Sequence, residues 1–212
     1  MCYRFARFGS PVNCSQCLQC ILQTTVLREI SRLLSSKSNV AIVDSKNEIA
    51  GNGDIPHPSV GLARRMMVAL VSLDEQGKVM MECVQDHSPQ VMVIDELGVE
   101  SATEMQIAQL CKQRGTRLMA GAGGNLRKLI QDTTPKMHFG VGNTQATQCM
   151  ISRIVGIFDA VVELQADNHH EWRVVENVGD AVQQMLSGKS IAAQERSRNP
   201  DTGAVLMDTV RL

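Results

Sequence analysis

"VMVIDEL", Val91 to Leu97, is the stretch on which the reading of the chain turns. Four consecutive apolar residues followed by two acids describe a strand buried on both faces, as in a parallel sheet, whose carboxyl end presents charge to solvent. Two similar runs flank it: "NVAIVDS", Asn39 to Ser45, ends in Asp44, and "TRLMAGAGG", Thr116 to Gly124, opens into a glycine-rich turn. Helical periodicity lies between them. Val79, Met80, Cys83 and Val84 share one face of a segment ended by Pro89, and a helix is predicted from about Ala102 to Lys112, stopped at Arg114-Gly115. This alternation of strand and helix predicts an α/β layer fold with a mostly parallel sheet.

Upstream, Val26, Leu27, Ile30, Leu33 and Leu34 recur at helical spacing from Thr24, and Ser35, Ser36 and Ser38 supply a loop. Downstream, "GIFDAVVELQ" and "EWRVV" predict a hairpin across Ala166 to His170, followed by a helix "VGDAVQQMLSG" ending at Gly188. The expected organisation is an atypical, loose cysteine-rich segment over 1–23, a folded domain over 24–188 and a polar, flexible tail over 189–212.

The 212 residues suit one domain with a sizeable core. The net charge of -1 provides no overall basic field, so nucleic acid is not an expected partner. No apolar run approaches the ~20 residues of a membrane-spanning helix. Seven cysteines, an odd count with Cys83, Cys111 and Cys149 in apolar surroundings, suit buried thiols better than a disulfide framework. His57, between two prolines, reads as a rigid turn residue, and Trp172 as a core or sheet residue.

The chemistry concentrates at strand ends. Asp95 can hold a magnesium ion through water, and Glu96 beside it can orient or deprotonate an attacking water. Asp44 and Glu48 bring two more carboxylates to a neighbouring strand end. The loop "NEIAGNGDIPHPSVG", Asn47 to Gly61, holds three glycines and two prolines, and its stiff Pro56-His57-Pro58 turn leads to Arg64 and Arg65, suited to phosphate oxygens. A solvated loop with ordinary surface charges accounts for the same residues taken singly.

Taken together, "VDSKNEIAGNGDIPHPSVGLARRM", "VMVIDELGVE" and "RGTRLMAGAGGNLRKLI" resemble the bacterial stage III sporulation protein AA family and its cyanobacterial and plastid relatives, a group of P-loop ATPases similar to the hexameric ATPases of secretion and pilus systems. The resemblance runs from Thr24 to about Leu164. It implies a RecA-like P-loop ATPase core, ATP and magnesium as cofactors, homo-oligomers that are hexamers by analogy, and a plastid or bacterial-type cytoplasmic setting. By the family pattern, Asp95 and Glu96 are the magnesium-holding and water-activating acids, and Glu48 with Asp44 forms an acidic box supplying a second catalytic carboxylate. Arg64 and Arg65 match an arginine pair that acts on a γ-phosphate, across a subunit boundary if as an arginine finger. Thr24 and Thr25 match the hydroxyl pair ending the phosphate loop, with Thr25 beside Asp95 as magnesium ligand.

Two departures from that pattern bear on activity. The family has a histidine in the turn where this chain reads Ala122-Gly123-Gly124-Asn125. The family's Gly-x-Pro-Gly-x-Gly-Lys-Thr-Thr loop is represented only by Gly9-Ser10-Pro11, then "VNCSQCLQCILQ", then Thr24-Thr25, with no lysine before Lys37. Loop glycines let backbone amides surround phosphates, and the lysine contacts them during transfer, so weak ATP binding and slow turnover are expected. A non-catalytic subunit that assembles with intact ones is the alternative. Cys14-x-x-Cys17-x-x-Cys20 has cluster-like spacing, but a fourth ligand is distant; an alternative exon or mis-set start explains the composition shift and the broken loop together. Relatives also carry strands upstream of the loop, so the sheet is expected to lack an edge and to be marginally stable.

Overall fold

The computed structural model describes residues 14–68, 75–98, 101–127, 130, 155–165, 168 and 170–212, the side chains of 14–22 and 102 excepted. Helix α1 runs from Cys14 to Ser35. The segment expected to be loose up to residue 23 is therefore helical from Cys14 onward. No glycine or proline interrupts residues 14 to 35, and once a helix is nucleated each added residue costs little.

Strand β1, Val40–Asp44, comes next, and the glycine- and proline-rich loop after it contains one 3-10 turn at Pro58–Val60. His57 caps that turn, its Nδ1 accepting from the Ser59 amide at 3.2 Å, which agrees with its reading as a turn residue. Then follow β2, Arg64–Met67; α2, Glu75–Glu82, continued by a π-helical turn at Cys83–His87; β3, Val91–Ile94; α3, Ala102–Gln113; and β4, Arg117–Ala120. The four strands form a parallel sheet in the order β2-β1-β3-β4. Strand β2 has no apolar run because it is an edge: Arg64 and Met67 are exposed while β1 and β3 are buried throughout.

Strand alternation divides the core into two layers. Val40, Ile42, Val91 and Val93 face Leu27 of α1, with Ile49, Ala50 and Val60 from the loop closing that side. Ala41, Val43, Met92 and Ile94 face α2 and α3 through Met80, Cys83, Val84, Met105, Ile107, Ala108 and Cys111. Cys83 and Cys111 are free, and burial pushes both thiols up to about 11, so they behave as apolar packing groups. Cys149, His169 and residues 1–13 lie outside the described residues, as do the side chains of Cys14, Cys17 and Cys20.

A second sheet is antiparallel. It comprises β5, Ala160–Leu164; β6, Glu171–Glu176; β7, Ala192–Arg198; and β8, Val205–Arg211, in that order, with α4, Val178–Leu186, between β6 and β7. The expected hairpin is β5-β6, with Leu164 opposite Trp172. The expected flexible tail, by contrast, is the β7-β8 hairpin, seven residues paired on each side. Strand β7 is polar and the Val205-Leu206-Met207 run that opens β8 is exposed, yet the ladder satisfies the backbone groups of both strands, and Ile191 and Ala193 are buried beside Val178 and Val182 of α4. The molecule is thus an α/β fold with a four-stranded parallel sheet plus an antiparallel sheet. Among the described residues no helix is long and apolar enough to cross a membrane.

Candidate functional site

Parallel pairing of Val43 with Ile94 makes Asp44 and Asp95 the next residues on adjacent strands, so both carboxylates emerge at the carboxyl edge of the sheet. Such an edge is where open α/β sheets bind ligands. The two acids have different surroundings.

Asp44 is fully buried and accepts three backbone amides: Glu48 on Oδ1 at 3.0 Å, and Ile49 and Ala50 on Oδ2 at 3.0 and 2.7 Å. Asn47, in the left-handed region at φ 57°, turns the chain so that these amides point back at the carboxylate. Arg28 secures the same turn from α1, Nε donating to the Ile49 carbonyl at 2.9 Å and the guanidinium also reaching the Glu48 carbonyl. Both oxygens of Asp44 therefore organise the loop, and the Glu48 side chain is left exposed on it.

Asp95, 4% exposed, has no comparable donors among the described residues. Its Oδ1 lies 3.5 Å from Thr24 Oγ1, and its main-chain carbonyl accepts from Gln23 Nε2 at 3.1 Å. Burial first, then the negative charges of Glu48 and Asp44, push its carboxyl up to about 6, with Lys46 opposing. Glu96 points outward into an ion pair with Lys46, which raises the Lys46 ammonium, and its main-chain carbonyl accepts from Gln76 Nε2 at 2.8 Å. Thr25 is exposed at the next position of α1.

The arginine pair is elsewhere in the chain. Arg64 aligns with Ala41, three residues before Asp44, and its Nη2 donates to Asn39 Oδ1 at 2.6 Å and the His87 carbonyl at 3.4 Å, at the amino edge of the sheet. Arg65 reaches the Gly51 and Gly53 carbonyls and braces the loop. Thr24, Asp44, Glu48, Asp95 and Glu96 are brought together at one edge; Arg64 and Arg65 do not join them within one chain.

Gln23, Arg28 and Lys46 carry site geometry that sequence reasoning did not assign. Arg28, four residues after Thr24, shares its helical face, and Lys46 stands two residues after Asp44; those spacings were the available signal. Gly121 is also fixed by the site: a Cβ there would lie 1.6 Å from Gln23 Nε2 and 2.2 Å from the Asp95 carbonyl oxygen. Among the described residues no group of three or more His, Cys, Asp or Glu is placed to hold a metal by itself. The donor set, a buried carboxylate with a hydroxyl at its side, suits magnesium, which keeps several waters and takes one or two carboxylates plus phosphate oxygens.

The chain has curated homologues. It is 38% identical over 200 residues to the uncharacterized protein ycf45 of Porphyra purpurea, covering 87% of this chain and 34% of that protein. It is 34% identical over 183 residues to the protein SEEDLING PLASTID DEVELOPMENT 1 of Arabidopsis thaliana, covering 79% and 26%. A ycf45 protein of Cyanidium caldarium is 35% identical over 190 residues, covering 82% and 55%. The chain thus spans between about a quarter and about half of these relatives. No family model matches it. The plastid setting expected from the sequence agrees with these relatives.

Proposed function

We propose that the carboxyl edge of the parallel sheet is a weakened nucleoside triphosphate site of the P-loop type, in a plastid ATPase of the group that the sporulation protein AA family typifies. The observation that carries this reading is Thr24 Oγ1 against Asp95 Oδ1 at the end of a buried parallel strand, a hydroxyl and a carboxylate from separate elements converging on one point. Thr24 or Thr25 and Asp95 would hold magnesium, which when bound offsets phosphate charge. Glu96, once released from Lys46, or Glu48 beside it, is the base that takes a proton from water. Arg64 and Arg65 act on the nucleotide of a neighbouring subunit in a homo-oligomer, since within the chain Arg64 lies at the amino edge of the sheet and Arg65 is engaged by the Gly51 and Gly53 carbonyls.

Where a phosphate loop would place its lysine, Gln23 donates to the Asp95 carbonyl instead. An amide lacks the charge that binds β- and γ-phosphates, so affinity and turnover fall together. Titration with a fluorescent ATP analogue and magnesium should give weak saturable binding that Asp95→Asn abolishes; identical titrations of the two proteins would remove this site. ATP hydrolysis above background should be lost in Glu96→Gln, and equal rates would take Glu96 out of the mechanism.

The Gln23 contact also favours a second reading, a non-catalytic subunit that docks beside intact ones and offers Arg64 and Arg65 to their sites. Mixing with a full-length ycf45 relative separates the two, because unchanged activity of the partner on mixing excludes docking.

A further inference from the structure

Lys46 stands on the turn that leads from β1 into the glycine-rich loop, two residues after Asp44. That turn is fixed from both sides: Asp44 accepts the amides of Glu48, Ile49 and Ala50, and Arg28 donates to the carbonyls of Glu48 and Ile49. The turn therefore holds Lys46 at the carboxyl edge of the parallel sheet, while its flexible four-carbon stem leaves the ammonium free to choose a partner. The partner is Glu96, so the ammonium bridges the ends of β1 and β3, and Asp95 and Glu48 add to the negative field around it.

The arginines of this region are committed differently. Arg28 and Arg65 donate to main-chain carbonyls of the loop, and Arg64 holds Asn39 and the His87 carbonyl at the opposite edge. Moving them would strip hydrogen bonds from the backbone. Lys46 and Glu96 have side chains 51% and 50% exposed, and an ion pair so open to water exchanges partners at little cost. Gln23, whose Nε2 donates to the Asp95 carbonyl, offers no charge at all.

A nucleoside triphosphate held at Thr24 and Asp95 adds negative charge to an edge that already carries Asp44, Glu48, Asp95 and Glu96, and magnesium offsets only part of it. We infer that Lys46 is the phosphate-binding cation of this edge, its ammonium turning from Glu96 to the γ-phosphate oxygens of a bound nucleoside triphosphate. The inference deepens the nucleotide reading and rests on it. The exchange replaces one carboxylate by phosphate oxygens of higher charge and needs only a side-chain rotation. It also couples occupancy to readiness: Glu96 is released when a γ-phosphate draws Lys46 away, and a diphosphate leaves the pair closed.

The test is magnesium-dependent fluorescence titration of the full chain with N-methylanthraniloyl ATP and ADP. Lys46→Met should weaken binding of the ATP analogue by roughly tenfold, the order of one charge-assisted contact in a half-exposed setting, and leave the ADP analogue unchanged. Lys46→Arg should retain most of the preference for ATP. Lys37→Met, which removes the same charge from the exposed loop ahead of β1, should alter neither affinity. Equal losses for both nucleotides in Lys46→Met, or none, would overturn the assignment. The loss should persist when Lys46→Met is made in the Glu96→Gln protein; if it vanishes there, Lys46 acts only by masking Glu96 and the assignment fails. Saturable binding that Asp95→Asn abolishes and Lys46→Met spares would sink this inference alone, whereas no such binding in the unaltered chain would remove the nucleotide site and the Lys46 role together.

Discussion

At the residue scale, Asp44 and Asp95 show how one residue type at equivalent strand ends acquires different properties. Three amides stabilise the Asp44 charge, and Asp44→Asn should cost about 2 kcal/mol, the order of a hydrogen bond to a charged group, read from the urea midpoint. Asp95 is buried without such donors among the described residues, and its carboxyl rises from 3.8 to about 6. A raised carboxyl means that the folded protein binds more protons than the unfolded chain between those values, so stability falls as pH rises through that window. The full effect is at most about 3 kcal/mol. Asp95→Asn should therefore stabilise the free protein at pH 7.5, show little difference near pH 4, and flatten the dependence between; urea denaturation at both pH values checks it. Lys46 and Glu96 are each half-exposed, so Lys46→Ala should change stability by under about 1 kcal/mol while freeing Glu96. Gly121→Ala should destabilise by about 1–3 kcal/mol, because Gln23 can swing away from a new methyl but the Asp95 carbonyl cannot, and a thermal melt reads the loss. Asp95 and Glu96 were legible from "VMVIDEL" because they end a strand. Gln23 and Lys46 were not, since each acts through a partner about 50 to 70 residues away.

At the element scale, α1 and the β7-β8 hairpin are where sequence and structure part. Helical periodicity from Thr24 was visible, but the helix begins ten residues earlier, where apolar spacing is weak and only the lack of breakers permits continuation. The hairpin "AAQERSRNPDTGAVLMDTVR" is weakly patterned, its one apolar run, Val205 to Met207, being exposed, and it is held instead by pairing with β6, through ladders such as Trp172 opposite Arg196. Ile191, fully buried at its entrance, distinguishes the two views: Ile191→Ala should cost about 2–4 kcal/mol in equilibrium unfolding, whereas a residue in a loose tail would change nothing measurable. Strand β2 escaped notice for the same reason, since an edge strand braced by Arg64 and Arg65 needs no apolar run.

At the scale of the whole molecule, the parallel sheet is covered on both faces, and among the described residues its hydrogen-bonded order ends at β4. Amides of β4 should exchange before those of β1 and β3, which have partners on both sides, and the thermal transition of the chain alone should be low and broad; a sharp, high melt would contradict an open edge. The α/β alternation, the central strands and the acids at their ends are legible in the sequence, because two-sided burial writes a continuous apolar run and a strand terminus writes a charge. The folded arrangement decides which acid accepts three backbone amides and which is buried beside the Thr24 hydroxyl, and what each arginine holds. Those outcomes depend on strand order and register, which bring together residues distant in the chain and leave no local pattern in it.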